Sequence, residues 1–333
     1  MALKKVTIKD VAREAGVSIS TVSNALNDVD VLHPDTKRHI LEVANRMNYI
    51  PNINGRNLKA QATKVIGLFI TSIRGPYYGT LADSIYSECL KHGYELNIFV
   101  SDKPNNIMTN ILGKRVDGAI ILNDWVKEPQ TKMLLENDIP TVFIDREQDG
   151  PNISSVVFDS YYEGEQAAKY LLELGHKSFA FVQGVEHNYD SIERQNGFEK
   201  VLKQAGITLP EEYIIKGNFE REITYNAVKD FLEKGYKLPD AVFAANDESA
   251  IGTIEALTDE GIKVPEQISV IGCDDIDLAK RVHPSVTTIR TSFEKQGAQA
   301  VIKLVSMIKH ETKGTIETLH GRIIPRESTC PRE

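Results

Sequence analysis

The chain has 333 residues, 41% of them hydrophobic and 26% charged, with a formal net charge of −8. This composition indicates a water-soluble protein of two or three domains, since no apolar run is long enough to span a membrane and the first residues lack the apolar core of a secretory signal. Three widely spaced cysteines form neither a metal-binding motif nor a disulfide framework, so we expect a cytoplasmic protein.

The first 64 residues are basic, whereas the rest of the chain is acidic. Ten Lys and Arg residues against six acids give this segment a net charge of +4, which leaves −12 for the remainder. A basic segment on an acidic body is expected for a small nucleic-acid-binding domain joined to a regulatory domain. Chance fluctuation over 64 residues is the alternative.

The stretch "DVAREAGVSISTVSNALN", which begins at Asp10, predicts two short helices joined by a tight turn. Thr7 and Asp10 form a capping signal for the first helix, Gly16 breaks it, and Ser18 caps the second. A third helix is predicted from Pro34. Two helices joined in this way are a helix-turn-helix, and a helical hairpin without nucleic acid is the alternative. The second helix would place outward side chains in the major groove, namely Ile19, Ser20, Thr21, Ser23 and Asn24.

The next segment, "YIPNINGRNLKAQATK", has the composition of a hinge. Pro51 ends the third helix, and Gly55 makes any following helix so weak that it would fold only when docked. Leu58, between Arg56 and Lys59, has the character of an apolar wedge that enters a minor groove and unstacks a base step. From spacing alone, a plain linker with an incidental leucine is the alternative.

From Val65 onward, apolar strands alternate with amphipathic helices, which predicts parallel sheets covered on both faces. The candidate strands are Val65–Ile70, Glu95–Val100, Gly118–Leu122, Thr141–Asp145, Ser178–Gln183, Ile214–Phe219, Ala241–Asn246 and Ile268–Asp274. This number of strands predicts two lobes rather than one sheet. Neither GxGxxG nor GxxxxGK[ST] occurs in the expected context, so we expect no nucleotide cofactor, and no catalytic or metal-binding set of side chains stands out.

Several of these strands end in polar side chains, and ligands of open α/β sheets bind beyond such ends. Asp145, Asn246 and Asp274 lie there, although each could instead cap a helix. Arg194 is predicted at the start of the helix Glu193–Ala205, where it opposes the helix dipole and therefore requires another role. Aromatic side chains past other strands could form flat walls, namely Tyr77, Tyr78 and Phe219. Together these groups suit a neutral polyhydroxy ligand.

The chain resembles the lactose/galactose-repressor (LacI/GalR) family of bacterial transcription regulators over nearly its whole length. The resemblance rests on the head motif "VTIKDVAREAGVSISTVSNALN", the hinge "NYIPNINGRNLK", and the ordered body blocks "RVDGAIIL", "LLELGHKSFAFVQG", "RQNGF", "PDAVFAANDESAIG", "VPEQISVIGCDD" and "HPSVTTIR". It implies an all-α helix-turn-helix head at 1–49, a hinge at 50–62, and an α/β periplasmic-binding-protein-like core at 63–333 with two doubly wound parallel-sheet lobes. The implied subdomains are about 63–158 with 290–318, and about 159–289 with 319–333.

The resemblance also implies roles for individual residues. Base-reading positions hold Ile19, Ser20, Asn24 and, in the minor groove, Leu58. Positions that contact the DNA backbone hold Thr7, Ser18, Thr21, Asn27 and Tyr49. Effector-pocket positions hold Tyr78, Asp145, Arg194, Phe219, Asn246 and Asp274.

The implied function is a transcription regulator, usually a repressor of carbohydrate-utilisation genes, whose operator affinity is controlled by a small sugar. The implied assembly is a homodimer, or a dimer of dimers, on a near-palindromic operator. One alternative is a catabolite-control regulator whose corepressor is a phosphorylated carrier protein. Another is a sugar-binding receptor without DNA function, and an enzyme is a third.

Four departures from the family's pattern modify these expectations. Asn24 stands where many members have arginine, which favours adenine over guanine at that contact. Gly55 replaces the usual alanine or valine of the hinge helix. The segment "SDKPNNIMTNILGKRVDG" is several residues short, which predicts a trimmed helix. Arg146 follows Asp145 where purine-responsive members have tryptophan, so a purine effector is disfavoured.

Overall fold

The structure is a computed structural model that describes residues 6–27, 29–50 and 62–332. The chain divides into two compact units, Met1–Thr63 and Lys64–Glu333. The predicted hinge wedge at Leu58, together with Gly55, lies outside the described residues.

The described part of the first unit contains the three helices that the sequence predicts: α1 (Ile8–Ala15), α2 (Ile19–Leu26) and α3 (Pro34–Arg46). The Thr7 backbone N–H donates to the Asp10 carboxylate at 3.0 Å, which caps α1. Gly16 ends that helix with a left-handed φ of 68°, a conformation that glycine adopts without strain. Helix faces meet in a small core around the fully buried side chains of Val11, Val22 and Ile40.

The second unit alternates strands and helices throughout. In chain order its elements are β1 (Val65–Ile70), α4 (Pro76–Lys91), β2 (Glu95–Val100), α5 (Pro104–Leu112), β3 (Gly118–Leu122), α6 (Glu128–Glu136), β4 (Thr141–Phe143), β5 (Ile153–Phe158), α7 (Ser160–Glu173), β6 (Phe179–Gln183), α8 (Tyr189–Gln204), β7 (Ile214–Lys216), α9 (Arg221–Glu233), β8 (Ala241–Ala244), α10 (Asp247–Asp259), β9 (Ser269–Asp274), β10 (Thr287–Arg290), α11 (Phe293–Ile308), β11 (Ile316–Leu319) and β12 (Arg322–Ile324).

These strands form two six-stranded sheets, one in each lobe. The first has the order β11-β5-β4-β3-β1-β2 and is parallel throughout. The second has the order β12-β10-β9-β8-β6-β7, and only β12 runs antiparallel to its neighbour. Because β10 lies in the second sheet, β11 in the first and β12 in the second, the chain passes between the lobes more than once. The predicted architecture of two α/β lobes is therefore confirmed.

Apolar side chains cover both faces of these sheets, as parallel strands require. In the first lobe, α4 and α11 pack against each other on one face, and the buried side chains of Leu81, Ile85 and Leu304 belong to that core. On the other face, Phe69 stacks on Phe99 with ring centroids 4.7 Å apart. Because the strands are parallel, their carboxyl ends lie at one edge of each sheet. The candidate ligand-binding side chains come directly after these strand ends.

The sequence predicts β1, β2 and β3 with their correct ends but does not predict four other strands, β5, β10, β11 and β12. In β5, the polar residues Ser154 and Ser155 interrupt the apolar pattern. Their hydroxyls are satisfied by tertiary partners, since Ser154 accepts from the Thr315 N–H at 3.0 Å and Ser155 donates to the Gln148 carbonyl at 2.6 Å. β11 and β12 are short and lie at sheet edges, where periodicity is weak.

One predicted helix start is wrong. α8 begins at Tyr189, where Asn188 caps it by accepting from the Ser191 N–H at 3.1 Å. Arg194 therefore lies in the second turn of α8, not at its start, and in that turn the helix dipole no longer opposes a positive charge strongly. A contact with a buried carboxylate explains this arginine instead.

Candidate DNA-binding surface and ligand cleft

Helix α2 turns one face to the core of the head and another to solvent. Val22 and Ala25 are buried, whereas the side chain of Ile19 is 45% exposed and Ser20 is exposed. Asn24 is half-buried, and its carbonyl accepts from the Val29 N–H at 3.0 Å. Two of the three base-reading candidates on this helix thus lie on its open side, and the third lies at its margin.

The candidates for contacts with the DNA backbone occupy helix ends. Ser18 caps α2 by accepting from the Thr21 N–H at 3.1 Å, and its hydroxyl lies 2.7 Å from the Ser20 hydroxyl. Asn27 is exposed and donates to the Ser23 hydroxyl at 3.3 Å. Tyr49 packs against the head core, where burial raises its pKa. Exposed hydroxyl and amide groups of this kind can bond to phosphate oxygens.

In the first lobe, the carboxylate of Asp145 is engaged by the next residue along the chain. Asp145 is 5% exposed and accepts from Arg146 through Nε at 2.9 Å and Nη2 at 2.6 Å. The Asn123 backbone N–H donates to it at 2.8 Å. The Arg146 guanidinium also donates to the Val126 and Asn123 carbonyls, each at 2.7 Å. Arg146 therefore neutralises Asp145 and joins the loops that follow β3 and β4.

In the second lobe, Arg194 is 4% exposed and donates to Glu163 at 3.0 Å and to the Ala245 carbonyl at 2.7 Å. Its Nη2 lies 4.0 Å from Asp274 Oδ1. Burial raises the pKa of Glu163, and the nearby arginine opposes that rise. A buried guanidinium needs a carboxylate partner, and Glu163 provides it. This requirement is the one signal from which a role for Glu163 could have been predicted in the sequence.

Asp274 is the last residue of β9, where the chain begins a turn that the next residue holds in place. Asp274 and Asp275 have left-handed φ values of 121° and 65°, which cost free energy in residues with a side chain. The Asp275 carboxylate pairs with both Arg290 and Arg326 and anchors the turn. Burial is the main cause that holds the pKa of Asp274 well above its usual value. The buried carboxylate of Asp247 raises this pKa further, whereas Arg194 opposes the rise.

Asn246 caps helix α10, as its sequence context indicates. Its side-chain oxygen accepts from the Ser249 N–H at 2.9 Å, and its amide donates to the Phe219 carbonyl at 3.1 Å. Phe219 itself has a left-handed φ of 63° and lays its ring over Gly184. A Cβ at Gly184 would lie 2.2 Å from that ring, so any other residue there would displace the Phe219 ring.

Side chains of both lobes meet in the space between the two lobes, which we call the cleft. The Tyr189 hydroxyl, at the start of α8 in the second lobe, donates to Glu147 of the first lobe at 3.4 Å. Tyr77 donates to Gln296 at 3.0 Å, and burial raises its pKa well above the usual value, with further contributions from Asp190 and Asp145. Burial also raises the pKa of Tyr78. The cleft therefore combines aromatic rings with carboxylates from both lobes.

Comparison with known proteins assigns the chain to a family. A model of "Bacterial regulatory proteins, lacI family" matches residues 7–52, and a "Periplasmic binding protein-like domain" model matches residues 168–329. The HTH-type transcriptional repressor PurR of Haemophilus influenzae is 35% identical over 315 residues, which cover 92% of this chain and 93% of the relative. The chain belongs to the lacI family of bacterial regulatory proteins.

Solved structures of this family have the same fold. The Lac repressor bound to ONPG in its repressed state is 26% identical, with a TM-score of 0.84 over 98% of this chain and all of the other. A complex of the transcriptional regulator CelR with cellobiose is 26% identical, with a TM-score of 0.73 over 97% of this chain and all of the other.

Family membership confirms the coarse function inferred from the sequence. The chain is a DNA-binding transcriptional repressor with a ligand-binding core, and it is not an enzyme. Its partners are operator DNA and a small-molecule effector. Among the described residues, no helix combines the length and the apolar character needed to cross a bilayer.

Proposed function

We propose that this lacI-family repressor controls carbohydrate-utilisation genes in the cytoplasm and that a small sugar sets its operator affinity. The arrangement around Arg194 carries the proposal, because Glu163 holds a buried guanidinium within 4.0 Å of Asp274. Adjacent donors and acceptors of this kind match the paired hydroxyls of a sugar ring. The likeness to CelR, solved with cellobiose, supports the same choice.

Each predicted contact remains part of this proposal. The effector would contact Tyr78, Asp145, Arg194, Phe219, Asn246 and Asp274. Bases would be read by Ile19, Ser20, Asn24 and Leu58, and the DNA backbone would be held by Thr7, Ser18, Thr21, Asn27 and Tyr49. The proposed subdomains are about 63–158 with 290–318, and about 159–289 with 319–333.

The proposed mechanism couples the cleft to the DNA through the lobes. A sugar that binds one lobe arrangement better than another shifts the population toward the first. In a homodimer on a near-palindromic operator, that shift would change the separation of the two heads and thereby the folding of the weak hinge segments. The coupling is reciprocal, so operator DNA should change the affinity for the sugar by the same factor.

An operator-binding titration tests this function. Operator fragments selected from random DNA would be titrated with the full chain while cellobiose, ribose, glucose, galactose or a purine base is added. We expect one sugar to change the affinity and Arg194→Ala to abolish that response. The control Arg281→Ala removes an exposed arginine, paired with Asp277 at 3.7 Å, and should leave the response intact.

Two outcomes would contradict the proposal. If no sugar changes operator affinity and Arg194→Ala has no effect, the sugar site is wrong. If a phosphorylated carrier protein changes the affinity instead, the repressor is of the catabolite-control type.

The identity of residue 24 gives a prediction about the operator. Asparagine pairs well with the N6 and N7 atoms of adenine, whereas arginine prefers guanine. Site selection from random DNA should therefore yield adenine at the position that Asn24 reads, and Asn24→Arg should change that base to guanine. Identical preferences for the two proteins would mean that Asn24 does not read a base.

A further inference from the structure

The loop after β3 exposes the only tryptophan of the chain beside the cleft. Trp125 is 52% exposed, whereas Asn123 before it and Val126 after it are buried. Asn123 is the first residue of this loop, and its N–H donates to the Asp145 carboxylate at 2.8 Å. Trp125 therefore projects from a loop that contacts a candidate effector-binding side chain.

Hydrogen bonds fix this loop in place. The Arg146 guanidinium donates to the Asn123 and Val126 carbonyls, each at 2.7 Å, and the Trp125 N–H donates to Asn123 Oδ1 at 3.1 Å. The residue that follows Arg146 accepts from the Tyr189 hydroxyl of the second lobe at 3.4 Å. The backbone of Trp125 is thus tied to the part of the first lobe that meets the second. A loop that is ordered before a ligand arrives loses less entropy on binding.

The polar groups of the cleft lie deep, whereas apolar side chains near it are exposed. Asp145 and Arg194 are 5% and 4% exposed, but Trp125 in the first lobe and Val185 after β6 in the second are 52% and 46% exposed. Both follow the carboxyl ends of strands, where ligands of open α/β sheets bind. Among the described residues, the Trp125 indole neither stacks on another ring nor donates a hydrogen bond. Its face is therefore open to a ligand.

We infer that the effector is a glycoside of two rings, whose first ring, a sugar, binds the deep polar groups while its second ring stacks on Trp125. The inference rests on the proposed sugar control and specifies its ligand class. The second ring is a sugar or an aryl group, since either has a flat face that an indole can cover. Such stacking removes apolar surface of both rings from water, which a single sugar ring among the deep polar groups would leave exposed.

Fluorescence titration of the full chain tests this inference, because Trp125 is the only source of tryptophan emission. Methyl β-D-glucoside would be compared with cellobiose and phenyl β-D-glucoside, and methyl β-D-galactoside with lactose and phenyl β-D-galactoside. We expect at least one two-ring glycoside to move the emission to shorter wavelength. It should bind about tenfold or more tightly than the methyl glycoside with the same first ring, since stacking and apolar burial together are worth that much. The disaccharides and the phenyl glycosides distinguish the two kinds of second ring.

Two substitutions assign the effect to the indole, with affinities measured by calorimetry. Trp125→Leu should weaken binding of the two-ring glycoside about tenfold and change binding of the methyl glycoside less than about threefold, whereas Trp125→Phe should keep part of the difference. This split between the two ligands distinguishes loss of stacking from loss of structure. Tyr236→Leu is the matched control, because Tyr236 is 41% exposed ahead of β8, at the amino ends of the strands. It should leave both affinities unchanged.

The outcomes separate this inference from the sugar proposal. If methyl glycosides bind as tightly as two-ring glycosides, or if Trp125→Leu weakens both kinds of ligand equally, the two-ring inference is wrong. The same holds if a two-ring glycoside binds without changing the emission and Trp125→Leu has no effect. Control of operator binding by a methyl glycoside would then leave the sugar proposal standing. If no glycoside of the panel binds, both the inference and the sugar proposal fail.

Discussion

Two buried carboxylates beside the cleft have pKa values that are shifted in opposite directions. Asp247 is fully buried and accepts from the Thr288 hydroxyl at 2.6 Å and the Ile276 N–H at 2.9 Å, yet no cation pairs with it among the described residues. Burial raises its pKa to about 7. For Asp275, burial acts in the same direction, but Arg326 and Arg290 outweigh it and lower the pKa below its usual value.

These shifts predict opposite pH dependences of stability. The native state keeps a proton on Asp247 up to about pH 7, whereas the unfolded chain releases it near pH 4. The free energy of unfolding should therefore fall across this range as pH rises, by at most about 1.4 kcal/mol per pH unit from this group. Asp247→Asn should remove that slope in urea unfolding curves measured from pH 4 to pH 8.

Asp275→Asn is the matched comparison. Asp275 stabilises the fold above the pKa that it has in the unfolded chain, and this stabilisation is lost as pH falls through its lowered native pKa. The Asn variant should be less stable than the parent at neutral pH and should lose less stability on acidification. A change in the same direction for both variants would show that the two environments are not opposite.

At the scale of elements, α2 depends on its caps because it has only eight residues. The Ser18 hydroxyl satisfies the Thr21 N–H, whereas the Ser20 hydroxyl has, within the described part of the chain, only the hydroxyl of the N-cap Ser18 as its partner. The same two serines are candidates for DNA contacts. Stability and recognition are thus combined at one helix end, and a pair of substitutions can separate them.

We expect Ser18→Ala to destabilise the head by about 1 kcal/mol, the usual cost of losing a helix N-cap. Ser20→Ala should change stability by less than about 0.5 kcal/mol while altering operator preference. Amide hydrogen exchange of α2 in the full chain measures the first effect, and site selection measures the second. Equal loss of amide protection in both variants would refute the assigned role of Ser18.

At the scale of the whole molecule, the β2 edge of the first sheet exposes several apolar side chains. On the β2 side, Ile98 and Val100 are 46% and 53% exposed, and α4, which packs on β2, exposes Tyr86 and Leu90. Exposed edge strands normally carry charges that prevent association. An apolar patch at such an edge is typical of a protein–protein interface, which supports the proposed homodimer.

The substitution Ile98→Asp should therefore convert the dimer to a monomer and weaken operator binding, because the patch would have to bury a charge. Ile316→Asp is the control, since Ile316 is 41% exposed on β11 at the opposite edge of the same sheet. Sedimentation velocity would measure both masses. A dimer that survives Ile98→Asp, or that is lost with Ile316→Asp, would place the interface elsewhere.

The sequence by itself determined the features that depend on neighbours within about four residues. The caps at Thr7 and Ser18, the break at Gly16 and the bounds of β1 to β3 follow from local hydrogen bonds and apolar periodicity. The number of strands extended this to two lobes. The family resemblance added a list of candidate contacts with DNA and effector, and these contacts remain proposals.

Only the tertiary structure decided how the charges of the cleft are paired. Arg194 pairs with Glu163, which lies on a different helix. Asp275 pairs with Arg326, and the chain passes through the other lobe between these two residues. Such contacts depend on sheet order and on the passages between lobes, which local periodicity does not encode. The sequence therefore predicts a polar cleft, and the fold determines how its charges are paired.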